Sequence, residues 1–153
     1  MSRPNVFADA WDMEVDRFQL RANMVGKHAG AKKLGATVYE LDPGSNGFNL
    51  HAHYGMEELF VVLSGRPTLR NGTTEEELSA GDVVSCPPGL AGLHTFANRT
   101  DEPARVLAIS NKVEPEVVLY PEIGKVGVAT RSPFEVPEGE DKGIVAMFDV
   151  PAE

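Results

Sequence analysis

A chain of 153 residues can bury a core without disulfides or a structural metal, and 42% hydrophobic against 24% charged residues is an ordinary globular balance. The formal net charge of -9 and the pI of about 4.9 count against a nucleic-acid partner, because the densest basic spot is only Lys32–Lys33 with Lys27 nearby. The single cysteine, Cys86, excludes an internal disulfide and fits a reducing compartment.

In chain order, the opening "MSRPNVFADAWDMEVDRF" is acidic and lacks an apolar segment, so no secretory leader is expected and the cytoplasm is the expected location. No membrane association is expected either, since the longest apolar run, "LFVVL", is far short of a span. A short helix is expected between Ala8 and Met24, and residues 1–35 read as an N-terminal arm or strand region. His28, in "GKHAGAKKLG", has no partner at ligand spacing and reads as an exposed loop residue. Residues 36–112 read as a barrel core. Strand-like runs occur at "ATVYEL" (36–41), "ELFVVL" (58–63), "DVVSC" (82–86), "LHTFA" (93–97) and "ARVLAIS" (104–110), and "EVVLY" (116–120) follows. Gly, Pro, Asn and Asp clusters separate them, and Asn71-Gly72 predicts a two-residue hairpin turn. Many short strands with turns between them indicate a sandwich or barrel. Residues 113–153 read as a C-terminal extension, whose acidic, Pro-rich tail from Arg131 would lie over the barrel or over a partner subunit.

The chemistry concentrates in "HAHYGMEELFVVLSG", His51 to Gly65. On a strand, residues two apart share a face with Cα atoms about 6.5–7 Å apart, so His51 and His53 can present imidazole nitrogens to one ion at about 2.0–2.1 Å each. After the tight connection "YGM", Glu57 or Glu58 can fold back toward that pair. Parity does not choose between them, because Phe60 and Val62 share the face of Glu58 while Leu59, Val61 and Leu63 share that of Glu57. A strand apolar on both faces needs cover on both, which predicts a homodimer.

This stretch resembles the first motif of the cupins, with Glu58 as the acid, six residues before Gly65. Its opening glycine is displaced, at Gly44 or Gly47. "GDVVSCPPGLAGLHTFAN" resembles the second motif, from Gly81 through Pro87 and Gly89 to His94 and Asn98, with four residues rather than two between Gly89 and His94. The resemblance covers roughly residues 36–110. It implies an all-β double-stranded β-helix, or jelly-roll, barrel and a mononuclear metal site of His51, His53, Glu58 and His94. It also implies one divalent transition metal, Mn, Fe, Ni, Co or Zn, with open positions for water or substrate.

Phe60 and Phe96 share the ligand face and could shape a substrate pocket. "YPEIGKVG" (120–127) resembles a segment of small bacterial cupins, some labelled sugar-phosphate isomerase-like, which would put Tyr120 and Lys125 at the pocket mouth. Arg66, Arg70 and Arg105 are candidates for contact with an anionic substrate group or for a solvated face. Cys86 has no basic neighbour in sequence and reads as a buried apolar filler. The resulting expectation is a metal-dependent enzyme acting on a small polar or oxygenated molecule, isomerase-like, with the metal as Lewis acid and no acid or base assigned beyond Glu57 as a candidate. A metal-dependent dioxygenase and a non-catalytic small-molecule binding or sensing barrel are its rivals.

Overall fold

The computed structural model describes residues 3–131, 139, 141 and 143–150. The strands are β1 (Met13–Val15), β2 (Leu20–Asn23), β3 (Leu34–Leu41), β4 (Ala52–His53), β5 (Glu58–Ser64), β6 (Thr68–Arg70), β7 (Glu75–Glu77), β8 (Val83–Cys86), β9 (Thr95–Ala97), β10 (Ala104–Asn111), β11 (Glu116–Tyr120), β12 (Lys125–Ala129) and β13 (Val145–Asp149). They form a six-stranded sheet in the order β1-β2-β3-β10-β5-β8, a four-stranded sheet β13-β12-β11-β4 and a three-stranded sheet β7-β6-β9. All pairings are antiparallel, as a jelly-roll barrel requires. Every predicted strand is present.

The alternation of β5 puts Phe60 and Val62 inside, where they meet Leu41 and Tyr39 of β3, Val106 of β10, Cys86 of β8 and Phe96 of β9 in one cluster. Strands from different sheets therefore face each other across a shared core. The opposite face of the six-stranded sheet is also apolar but less covered in the single chain: Leu59 is 39% exposed and Val83 60%. Beside it a buried carboxylate, Glu40, is held between Arg21, at 2.6 Å, and Arg105, with the Trp11 ring over both guanidiniums.

Three local readings change. The expected helix is one turn, α1 (Val25–His28), just past the predicted stretch, because residues 13–15 and 20–23 of that stretch pair as β1 and β2. His28 is therefore helical, and its Nε2 lies 2.8 Å from Asp12 Oδ1. The hairpin turn falls one residue later than Asn71-Gly72. Asn71 N–H donates to the Thr74 carbonyl (3.2 Å), so Gly72, at φ 100°, opens the turn and Asn71 stays in the ladder's conformation. In the tail, residues 145–149 form β13 against β12, from Lys125↔Asp149 to Ala129↔Val145. Residues 132–138 and 151–153 of that tail lie outside the described residues.

Candidate metal centre

Two backbone segments bring the imidazoles together. His51 and His94 form an isolated antiparallel bridge, with each N–H donating to the other's carbonyl at 3.1 and 2.9 Å. Their rings lie 4.5 Å apart between centroids, and the His53 ring is 5.0 Å from His51. The four residues between Gly89 and His94 are taken up by a 3₁₀ turn over Leu90–Gly92. That turn needs a glycine at its end, since a Cβ on Gly92 would fall 1.9 Å from the Pro87 carbonyl oxygen. The lengthened motif thus still delivers His94 to the site.

Parity assigns the acid. Glu58 opens β5 on the same face as Phe60 and Val62, while Glu57 is exposed. His51, His53 and Glu58 offer ligand atoms within 4.8 Å of one another. His94 lies outside that 4.8 Å group and approaches it through the carboxylate: Glu58 Oε2 is 3.3 Å from Nε2 of His94 and 3.3 Å from Nε2 of His53. That oxygen is buried without a hydrogen-bond partner, an arrangement disfavoured unless a cation or proton lies among these atoms. The second nitrogens of two rings are engaged behind the site. His51 Nδ1 donates to the Asn49 carbonyl and His94 Nδ1 to the Gly92 carbonyl, both at 2.8 Å, which directs each Nε2 at the centre. The donor set, three imidazoles and one carboxylate, fits a divalent transition metal.

Glu116, from the first position of β11, is a residue that sequence reasoning missed. It is buried, its Oε1 lies 3.4 Å from His53 Nδ1, and the same oxygen accepts the N–H groups of Tyr54 (3.2 Å) and Gly55 (3.3 Å). β11 reaches the centre because Val118 and Leu119 pair with His53 and Ala52 of β4. No local signal marks Glu116: it is one acid before an apolar run, far from the motifs in sequence.

The electrostatics are those of a crowded buried cluster. Burial, then the neighbouring His94 and His53, push His51 down to about 4. Burial opposes the charged form of His94 too, but contacts with Cys86 and Glu58 outweigh it and hold that imidazole up at about 10. Burial also opposes the Glu58 carboxylate, and His94, His53 and His51 hold it below its ordinary value. Cys86 therefore has a basic neighbour after all: it sits opposite Glu58 across the β5–β8 ladder and touches His94, a proximity invisible in the sequence.

The site opens on an internal cavity of about 60 Å³. His51, Glu58 and His94 form its polar end, and Phe60, Phe96, Tyr39, Phe48 and Val106 its apolar remainder. Phe60 and Phe96 pack at 4.7 Å between centroids, and Phe60 lies 4.9 Å from His94. Tyr120 stacks on His51 at 5.9 Å, with its phenol pushed up by burial. Lys125 lies opposite Tyr120 in the β11–β12 ladder, and its ammonium is 2.5 Å from Asp149. Arg66 pairs with Glu77, and Arg70 with Glu122 and Glu75.

The cupin-domain family model matches residues 37–110. A protein of Acidithiobacillus ferrooxidans described as a candidate sugar phosphate isomerase is similar over 85% of this chain and 76% of its own, at 25% identity and TM-score 0.72. A sugar phosphate isomerase from a cupin superfamily of Silicibacter pomeroyi is similar over 88% of this chain and 81% of its own, at 22% identity and TM-score 0.74. The polyketide cyclase RemF of Streptomyces resistomycificus is similar over 61% of this chain and 65% of its own, at 22% identity and TM-score 0.54. No protein of curated function matches the chain.

Proposed function

Residues 37–110 of this chain are a cupin domain, and from that premise we propose that the protein is a mononuclear metal-dependent enzyme, isomerase-like, acting on a small polar or oxygenated molecule. One observation carries the reading: the buried, unpartnered Glu58 Oε2 amid the nitrogens of His53 and His94, with His51 completing the set. The Acidithiobacillus ferrooxidans relative, at 25% identity, supports the isomerase class.

His51, His53, Glu58 and His94 would hold the ion. When bound, a divalent metal supplies Lewis acidity for a substrate carbonyl. The Asn49 and Gly92 carbonyls hold the His51 and His94 rings in one tautomer, so their Nε2 atoms need no reorientation. Phe60 and Phe96 exclude water from that end of the cavity. The cavity of about 60 Å³ exceeds the roughly 10–15 Å³ that holds one water, so it admits the oxygen-bearing end of a small substrate. Tyr120, whose phenol burial pushes up further, stays protonated while its ring stacks on His51. Glu57 is exposed and its N–H is held by Asn111, which disfavours it as the base.

Among the described residues no helix is long and apolar enough to cross a membrane. The buried free Cys86 supports a reducing compartment, the cytoplasm.

Elemental analysis of protein purified without added metal should give close to one transition metal per chain. His51→Ala or His94→Ala should abolish it while circular dichroism stays that of the folded barrel, and retained metal would reject the ligand assignment. Iron accompanied by oxygen uptake would turn the reading to a dioxygenase. A metal-loaded chain that turns over no carbonyl substrate yet is thermally stabilised by one would make it a binding barrel.

A further inference from the structure

A second recess adjoins the metal-proximal cavity, with Gly47 and Phe48 as a common wall. It is larger, about 210 Å³, and polar where the inner cavity is mostly apolar. Arg17, Arg70, Gln19, Asn46 and Asn49 line it, with Glu122 the only carboxylate in the lining. In a chain of net charge -9, the Arg17 guanidinium is a cation here with no carboxylate paired to it among the described residues, while Arg70 is shared by Glu122 and Glu75.

The two arginines are differently prepared. Arg17 rests on the Phe18 ring, 5.1 Å from its centroid, and no carboxylate pairs with it among the described residues. Arg70 is only 21% exposed, which fixes its position, and it is 2.5 Å from Glu122 and 3.4 Å from Glu75, which lies outside the recess lining. Glu122 is 47% exposed, and an ion pair with so much water around one partner contributes little, so an incoming anion can displace that carboxylate. The recess also touches the metal centre through a hydrogen bond: Asn49 lines it, and the Asn49 carbonyl accepts from His51 Nδ1.

We propose that this recess binds the anionic group, phosphate or carboxylate, of a small ligand whose oxygen-bearing end lies at the metal centre, with Arg17 and Arg70 supplying the charge. The inference rests on the metal-dependent reading above and deepens it to substrate class. A ligand larger than the inner cavity must extend somewhere, and the adjoining recess is the polar space beside it, with the Arg17 guanidinium open to an anion.

The test uses the full chain, metal content measured, titrated by calorimetry with inorganic phosphate and separately with acetate. Phosphate, acetate or both should bind, and whichever binds names the group. Arg17→Gln, an exposed position that should not disturb folding, and Arg70→Gln should each weaken binding at least tenfold with metal content unchanged. Glu122→Gln should tighten it about two- to fivefold by removing the nearer of the two acids that compete for Arg70. Arg66→Gln, outside the recess, should do nothing. Wild-type affinity in both Arg17→Gln and Arg70→Gln, or no binding of either anion, would overturn the proposal. So would binding lost in metal-free His94→Ala but kept in the arginine variants, which would put the anion on the metal. Conversely, a wild-type chain without metal that binds phosphate through Arg17 and Arg70 would sink the metal-dependent reading and leave the recess standing.

Discussion

Two of the three imidazoles of the centre are backed by main-chain acceptors, and the third faces a carboxylate. His51 and His94 each donate to the carbonyl two residues earlier in the chain, Asn49 and Gly92. The corresponding carbonyl for His53 belongs to His51, and it already accepts the His94 N–H at 2.9 Å. A carboxylate from another strand, Glu116, lies 3.4 Å from His53 Nδ1, which is buried without a hydrogen-bond partner, and is the acceptor within reach when the ring is ligated. A carboxylate behind a ligating histidine raises its basicity and fixes its ring, so Glu116→Gln should lower metal affinity about 10- to 100-fold in a competitive chelator titration. The amide can still accept from Tyr54 and Gly55, so the melting temperature of the metal-free protein should hardly move. The protonation states give a second expectation. His94 is held up at about 10 in the metal-free site, so at pH 8 it is an imidazolium, whereas His51, at about 4, is already neutral. Ligation requires a neutral imidazole, so metal uptake at pH 8 should release about one proton per ion from His94, and none from that residue well above pH 10. A weakly buffered indicator dye reads the difference. At this scale the convergence of His51, His53 and Glu58, with His94 beside Glu58, was legible from spacing and family resemblance, and their ligation of a metal is the proposal that metal analysis tests. Glu116 and the contact between Cys86 and His94 were not, because both depend on pairings between distant strands.

Among the elements, β11 connects the matched domain to the rest of the chain. The family match ends at residue 110, yet β11 supplies Glu116 behind His53 and Tyr120 beside His51, and it is the strand that pairs with β4. A chain ended after Asn111 keeps β3, β5, β8 and β10 with their shared core. It should therefore retain a β-type circular dichroism spectrum but bind metal at least tenfold more weakly than the full chain, and equal affinity would show that β11 is dispensable. Strand positions were readable because β3, β5 and β10 carry apolar runs bounded by turn residues. The opening segment misled for a physical reason: its helical-looking composition is overridden by pairing of β1 with β2 and of β2 with β3, a tertiary gain that local propensity does not contain. The hairpin slipped by one residue because Gly72 alone supplies the positive φ the turn needs.

For the molecule as a whole, the outer face of the six-stranded sheet is the open account of the fold. Leu59 and Val61 of β5, Val83 of β8 and Ile109 and Leu107 of β10 lie side by side there. Burying such a contiguous apolar surface against a second copy is the reading we favour, and sedimentation should give twice the 16.5 kDa chain mass. Val83→Lys should return it to the monomer, and a wild-type monomer at micromolar concentration would reject the homodimer. The barrel class was legible from the spacing of strands and turns, whereas the sheet order was not, since it depends on which distant strands become neighbours. The reciprocal peptide hydrogen bonds between His51 and His94 have a consequence for how the centre is assembled. Their two segments are clasped through the main chain, independently of any ion, so a cation bound there would enter a receptacle already formed. Stripping the ion and restoring it is then an exchange of guest, with no refolding of the host.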